Sequence, residues 1–527
     1  MSIALAVVTD AEAKTNRSRL ARIGRDSGIV FLGNILDKLF GFAFTVGIAK
    51  LYGLRVFGLF LLGLTICQLG SLIFNLGFGN GLIRYVALYK KETPKLKGII
   101  WTAGVLSVSL GVLLGLGLFL AAQPLVERFF ANKARLVVVL QWLALTVPLS
   151  ALSGIWVRTL VGLKHFKAQT YVRSVIEPGT KVGMALLLFL AGFKLEGLIL
   201  AYVISTVAAT VAAYYYYTAT LRSRLKGVKP IFQFREFINY CWPLVLRNFI
   251  SKATRRADVL LLGMFRNPLE ITLYMFTLRM ATLNTLIADA FEKAYSPHVP
   301  RLHAEGRLDE LRHAFQTITK WTMLLSIPIF ALLIVFPGVV IPVLGEQFMP
   351  AATALSVVAA AVCFSYAVGP SETALIMAGR PKVSLVIRII GGLVTLGLNI
   401  WLVPQFGLIG AAWGFTGSVF VSNILAASIA YFDMNLHPVQ RGYLKVLAAG
   451  ALAIGVALAL HPFLPANKYL ALLALGLGYL VAYGGMLWLL GLDEEDKELA
   501  RQSQLRLKAL AHRQPVTSTP DMDVSRQ

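Results

Sequence analysis

The chain has 527 residues, 57% of them hydrophobic and 14% charged, and its net charge is +24. An ordinary soluble domain is about 25% charged, so the composition argues against a soluble enzyme or binding module. The positive balance does not point to nucleic acid. No zinc-finger, RNA-binding or P-loop signature is present, and cations accumulate in the cytoplasmic loops of membrane proteins.

The N-terminus is no secretory signal. IALAVV is short and is followed by Asp10 and Glu12, and the basic run NRSRLARIGR precedes the first long apolar block. This order predicts a cytoplasmic N-terminal segment over 1–27 and a retained first span. A membrane-spanning helix needs roughly 20 apolar residues. GIIWTAGVLSVSLGVLLGLGLFLAA alone runs from Gly98 to Ala122 without a charge. Apolar cores lie at 28–50, 56–79, 98–122, 136–160, 172–192, 197–219, 237–263, 271–295, 319–342, 351–376, 383–403, 407–430, 443–460 and 468–490. The predicted fold class is all-α, a polytopic membrane protein with about 14 transmembrane helices.

One set of connections is basic: RYVALYKKETPKLKG, LKHFKAQTYVR, LRSRLKGVKPIFQFR, HVPRLHAEGRLDELRH, GRPK and HPVQRGYLK. The alternate set is shorter and poorer in cations, with VERFFANKAR the exception. This alternation predicts a multi-pass protein of the inner or plasma membrane with both termini cytoplasmic. The tail over 491–527 reads as a surface-lying amphipathic helix followed by a disordered end.

The stretch VLRNFISKATRRADVLLLG holds four cations, Arg247, Lys252, Arg255 and Arg256, and one acid, Asp258. Its apolar flanks are each too short to span alone. If neither crossed, every later basic loop would face outward, so the two are expected to join as one helix over 237–263. Each central Lys or Arg costs about 2.5–3.5 kcal/mol on an insertion scale, and each Leu or Val returns about 0.3–0.6. Such a helix must line a polar interior, or find its cations neutralised by acids within the bundle.

Other spans carry charge as well. Asp37 and Lys38 lie in the first. Arg173, Glu177 and Lys181 form an i, i+4, i+8 ladder in the fifth. Arg279 lies in the eighth, with Asp289, Glu292 and Lys293 near its cytoplasmic end, where an interfacial role and an Asp289–Lys293 pair are expected. Glu372 and Arg388 lie in the tenth and eleventh. Cations outnumber acids within the spans, which favours an anionic cargo. Cys67, Cys241 and Cys363 are far apart in apolar blocks and read as free thiols. No cofactor or metal motif is present.

Gly162–Tyr202 and Gly379–Gly414 share a pattern: basic loop, early Arg, long apolar run, Gly-containing turn, next span. The repeat unit is six spans, which keeps both copies in the same orientation. The expected organisation is a first six-helix bundle over 28–219, a cytoplasmic linker over 220–236, a second bundle over 237–430, and two further helices over 431–490.

The runs LYGLRVFGLFLLGLTICQLGSLIFNLGFGNGLIRYVALYKK, DVLLLGMFRNPLEITLYMFTLRM, LIMAGRPKVSLVIRII and LVPQFGLIGAAWG resemble the polysaccharide transport family. These are O-antigen-type flippases of lipid-linked oligosaccharide, within the MATE-like multidrug/oligosaccharidyl-lipid/polysaccharide exporter superfamily. The resemblance covers about residues 25–490. It implies alternating access that moves a polyprenyl-diphosphate-linked glycan from the cytoplasmic to the periplasmic leaflet. By position in the spans it makes Lys38, Arg173, Arg247, Lys252, Arg255, Arg256 and Arg279 candidates for substrate binding. Asp37, Glu177, Asp258 and Glu372 become candidates for a coupling proton or cation, or simple countercharges to nearby Arg and Lys. Membrane lipid, a polysaccharide polymerase and chain-length proteins are the candidate partners. The alternatives are a lipid II flippase and a drug or small-molecule cation-coupled antiporter. An enzyme is disfavoured because the outward loops are too short to build a catalytic site.

Overall fold

A computed structural model describes residues 35–72, 78–130, 133–242 and 256–491, together with 32, 33 and 245. Every regular element among the described residues is helical. α1 covers 35–52, α2 Leu54–Leu72, α3 Gly79–Leu88, α4 Thr93–Phe129, α5 Arg135–Gly162, α6 166–190 and α7 Leu195–Leu225. After α8 (234–242) come α9 (Ala257–Phe265), α10 (Pro268–Thr282), α11 (Thr285–Tyr295), α12 (His298–Ala304), α13 (Leu308–Val335), α14 (Pro337–Leu344), α15 (Ala352–Ala367) and α16 (Ser371–Met377). The stretch Pro381–Met434 is broken at Gly407 into α17 and α18. α19 (Arg441–Leu460) and α20 (Lys468–Leu490) close the described chain.

Among the described residues nine helices are long and apolar enough to cross a membrane, and α10 with 285–304, bent by 46°, makes a tenth. The fold is a polytopic all-helical membrane fold, as the sequence predicts. The number fourteen is not established by these helices. α6 has the length but carries Arg173, Glu177 and Lys181, and 237–263 is only partly described.

The expectation of one helix over 237–263 is corrected in its described part. Arg256 lies in a turn with φ −111° and ψ −4°, and α9 begins after it at Ala257. The break places Asp258 in the first turn of α9. There the positive end of the helix dipole favours its carboxylate.

In a membrane every backbone polar group needs a partner inside the protein. The break at Gly407 shows how this is met. Gly407 has φ +56°, and a Cβ there would lie 2.1 Å from Glu270 Oε2. Glu270 Oε2 instead accepts from the Leu408 N–H at 2.7 Å. Arg266 donates to the carbonyls of Val403, Pro404 and Gln405 at 3.1, 2.7 and 2.7 Å. Arg266 in the short α9–α10 turn and Glu270 in the first turn of α10 thus cap the α17–α18 break.

α1–α7 and α9–α18 meet in a close backbone seam at the ends of the helices opposite the basic loops. Thr272 Oγ1 donates to the Leu54 carbonyl at 2.7 Å. Gly58 lets α2 lie directly on α10, since a Cβ there would sit 1.8 Å from the Pro268 carbonyl oxygen. On the basic side the loops tie each bundle to itself. Lys97 donates to the Val228 carbonyl at 2.8 Å and Arg312 to the Asn435 carbonyl at 2.9 Å. α8 packs on α3, where Gly81 faces Cys241. The two last helices bury Tyr443, Ala449, Leu475 and Tyr479 against Met323 and Ile327 of α13.

Gly58→Ala is expected to push α2 off α10 at an overpacking cost of about 1–3 kcal/mol. The readouts are a lower thermal midpoint in detergent and faster labelling of a cysteine placed at Thr272, in a chain whose native cysteines are replaced. Wild-type values for both would show that the seam does not close this way.

Candidate functional site

Two π-helical turns lie beside the intramembrane charges. Phe44–Ile48 follows Asp37 and Lys38 in α1, and Tyr171–Ile176 contains Arg173 in α6. The cause in α6 is local. Pro178 has no N–H to continue the ladder, and the Glu177 N–H reaches back five residues to the Val172 carbonyl. Arg173 Nη1 then meets Glu177 Oε2 at 2.7 Å. Lys181, one turn on, does not extend an ion-pair ladder. Its Nζ stands 4.5 Å from the Phe44 ring centroid, a cation–π contact with α1.

These groups converge with others from distant helices. Asp37 is within electrostatic reach of Arg279, Lys181, Glu177 and Lys38. Arg279 of α10 lies against α1 at Gly41, where a Cβ would be 3.1 Å from Nη1. Arg256, the N-cap of α9, is surrounded by Asp258, Arg279 and Tyr202. Arg158 of α5 stands near Arg173 and donates to Asn80 Oδ1 at 2.6 Å. Gly79 opens the space for it, since a Cβ there would be 2.5 Å from Arg158 Cδ. Arg158 is absent from the sequence-derived candidates because it falls near the end of its apolar core and shows no charge pattern. The structure therefore brings Lys38, Arg173, Arg256 and Arg279 into one region and adds Arg158 and Lys181. Arg247, Lys252 and Arg255 lie outside the described residues.

Lys38 also crosses between the bundles. Its Nζ donates to Thr285 Oγ1 at 2.6 Å and to Asp289 Oδ2 at 3.0 Å. This corrects the expected Asp289–Lys293 pair. Lys293 is exposed and water stabilises it. Lys38 is half-buried in α1 and has the greater need of a counterion.

The four acids differ in their surroundings. Glu177 is held by Arg173. Asp258 is buried and accepts from Tyr274 Oη at 2.5 Å and from the Val259 N–H at 2.8 Å. Glu372 lies apart on α16, half-buried, accepting from Arg388 Nε at 2.6 Å and Ser384 Oγ at 2.5 Å. Asp37 makes no hydrogen bond or ion pair with any described residue.

Tyr274→Phe leaves the buried Asp258 carboxylate without its hydroxyl donor. A loss of about 1–3 kcal/mol is expected, read as a lowered thermal midpoint. In the Asp258→Asn background the same change costs much less. Equal losses in both backgrounds would show that the pair is not coupled.

Fold and site together define a multi-pass helical membrane protein with a charged cluster held between its helices. The chain belongs to the polysaccharide biosynthesis protein family, whose model matches residues 48–353. It is 23% identical to the teichuronic acid biosynthesis protein TuaB of Bacillus subtilis over 75% of this chain and 80% of TuaB. It is 22% identical to a Haloferax volcanii protein named "Probable flippase AglR", over 82% of this chain and 89% of that one. Among solved structures, the lipid II flippase MurJ in an inward closed conformation aligns with a TM-score of 0.67. It covers 87% of this chain and 98% of its own, at 14% identity. An inward-facing MATE multidrug transporter aligns at 0.62 and 15% identity, covering 77% and 94%. The family resemblance seen in the sequence is borne out. The family and its structural neighbours are transporters and flippases, not enzymes.

Proposed function

We propose that the protein is a flippase that carries a polyprenyl-diphosphate-linked oligosaccharide from the cytoplasmic to the periplasmic leaflet of the cell membrane, for surface polysaccharide biosynthesis. The observation that carries this reading is the cluster of Arg158, Arg173, Lys181, Arg256 and Arg279 around the acids Asp37 and Glu177. A diphosphate is a compact anion, and Arg binds phosphate oxygens in pairs. Arg173, Arg256 and Arg279 take the diphosphate in this reading, joined by Arg247, Lys252 and Arg255 from their place in the chain. The lipid tail stays in the bilayer.

The seam through Gly58 and Thr272 closes the side opposite the basic loops, which supports a cleft that loads from the cytoplasm. The Lys38–Asp289 contact joins the bundles, and breaking it is one part of the change between inward and outward access. Asp37 is the favoured carrier of a coupling proton, because Glu177, Asp258 and Glu372 are engaged by partners.

A deletion strain tests the cargo. Lipid-linked repeat units are expected to accumulate on the cytoplasmic leaflet while peptidoglycan synthesis continues. Accumulation of lipid II instead assigns the chain to the peptidoglycan pathway. Arg173→Gln combined with Arg279→Gln is expected to cut translocation at least tenfold, since each charge-assisted hydrogen bond contributes about 1.5–3 kcal/mol. Wild-type flux with normal expression would end the anion-site reading.

A further inference from the structure

The second bundle holds a polar cavity of about 270 Å³ between α11, α13, α15, α16, α17 and α18. At roughly 30 Å³ per water it has room for a small hydrated group and not for a polymer. Its wall combines Glu292, Glu372 and Arg388 with Thr322, Tyr366 and Asn423. Most of these groups are already held. Glu372 accepts from Arg388 and Ser384, Thr373 donates to Glu292 Oε1, and Ser365 donates to Asn423 Oδ1 at 3.1 Å. Tyr366 is different. Its ring packs edge-on against Phe330, and its hydroxyl is shielded from solvent without a hydrogen-bond partner among the described residues.

We propose that this cavity is a subsite for an uncharged sugar ring of the cargo, an inference that rests on the flippase reading. A sugar hydroxyl both donates and accepts, so a ring seated in the cavity offers Tyr366 Oη the partner it lacks. An apolar group leaves the buried tyrosine hydroxyl unpaired, which is costly. A phosphate or a uronate meets two carboxylates. Arg388 in the wall offsets one of those charges, and the lining keeps a net negative balance that disfavours an anion. Position agrees with chemistry. Ala288 and Glu292 line the cavity and flank Asp289 on α11. The Lys38–Asp289 contact therefore lies beside the cavity wall, on the way to the cation cluster. A sugar linked directly to the diphosphate falls on this side of the cluster.

The test uses the full chain in nanodiscs and measures affinity for undecaprenyl diphosphate with no sugar, and with one glucose, galactose, N-acetylglucosamine or glucuronate. Wild type is expected to prefer at least one neutral-sugar lipid over the bare diphosphate, and not the glucuronate lipid. Tyr366→Phe is expected to lower that preference about tenfold, the equivalent of one neutral hydrogen bond. Asn423→Ala is expected to act in the same direction. Both variants should keep the wild-type affinity for the bare diphosphate. Absence of any neutral-sugar preference, preference for glucuronate, or equal loss for all probes overturns the subsite. So does a preference that depends on sodium and disappears in Glu372→Gln, which makes the cavity a cation site. Bare diphosphate binding that is lost in Arg279→Gln, without sugar preference, ends the subsite and keeps the flippase reading. Failure of wild type to bind any of the lipids ends both.

Discussion

A guanidinium or ammonium left alone in hydrocarbon is unstable by several kcal/mol, and this one cost organises the centre of the molecule. Arg173 and Lys181 come from α6, and Arg256 and Arg279 from the consecutive helices α9 and α10. Each sits where an acid or an aromatic face is available to it: Glu177, the Phe44 ring, Asp258 and Asp37. The backbone yields to make these meetings possible. Gly41 admits Arg279 to α1, Gly79 admits Arg158 to α3, and π turns loosen α1 and α6 beside their charges. In a lipid-facing helix such features would only weaken packing. Here they give the charges room to approach one another and whatever else enters.

The seam between the bundles uses another kind of contact. It is made of backbone surfaces, Gly58 on the Pro268 carbonyl and Thr272 on the Leu54 carbonyl, with no charged group in either contact. Such a surface can part and re-form without stranding an ion in the membrane. Ion pairs within a bundle, such as Arg173–Glu177 and Arg388–Glu372, can move as units with their helices. Charged contacts across the halves exist as well, where Arg279 reaches Asp37 and where Lys38 pairs with Asp289. Lys38 and Asp289 both retain substantial exposure, so water can take over when they separate.

Much of this was legible in the sequence. The apolar blocks locate the helices because hydrocarbon thickness sets their length. The i, i+4 spacing of Arg173 and Glu177 gives their pair directly. Other features depend on contacts that no local pattern encodes. Lys38 and Asp289 are 251 positions apart, and a local rule assigns Asp289 to Lys293 instead. Asp258, in the first turn after Arg256, is held by Tyr274 from another helix. The Gly407 break is visible as a short turn in LVPQFGLIG, but its caps, Arg266 and Glu270, lie far away in the chain, around the start of α10. Arg158 looks like an ordinary end-of-span cation until α3 brings Gly79 and Asn80 to it. Tyr366 is a neutral aromatic in an apolar block, and only the cavity shows that its hydroxyl lacks a partner.

The two halves expected from the sequence pattern, α1–α7 and α9–α18, differ in kind in their polar interiors. The first gathers an excess of cations beside α1, α5 and α6. The second sets Arg388 between two carboxylates and fills the remaining wall with hydroxyls and an amide. An anion gains from the first environment and nothing from the second, while a neutral polyol gains hydrogen bonds mainly from the second. A single molecule that gains from both must carry a compact anion joined to an uncharged, hydroxyl-rich group. In the proposed reading its third portion is a lipid tail that stays in the bilayer, beside the apolar outer faces of the described helices. A diphosphate flanked by a sugar and an isoprenoid meets all three conditions. A cationic drug meets neither of the first two, which is why the asymmetry between the bundles favours a glycolipid over the cargo of a multidrug exporter.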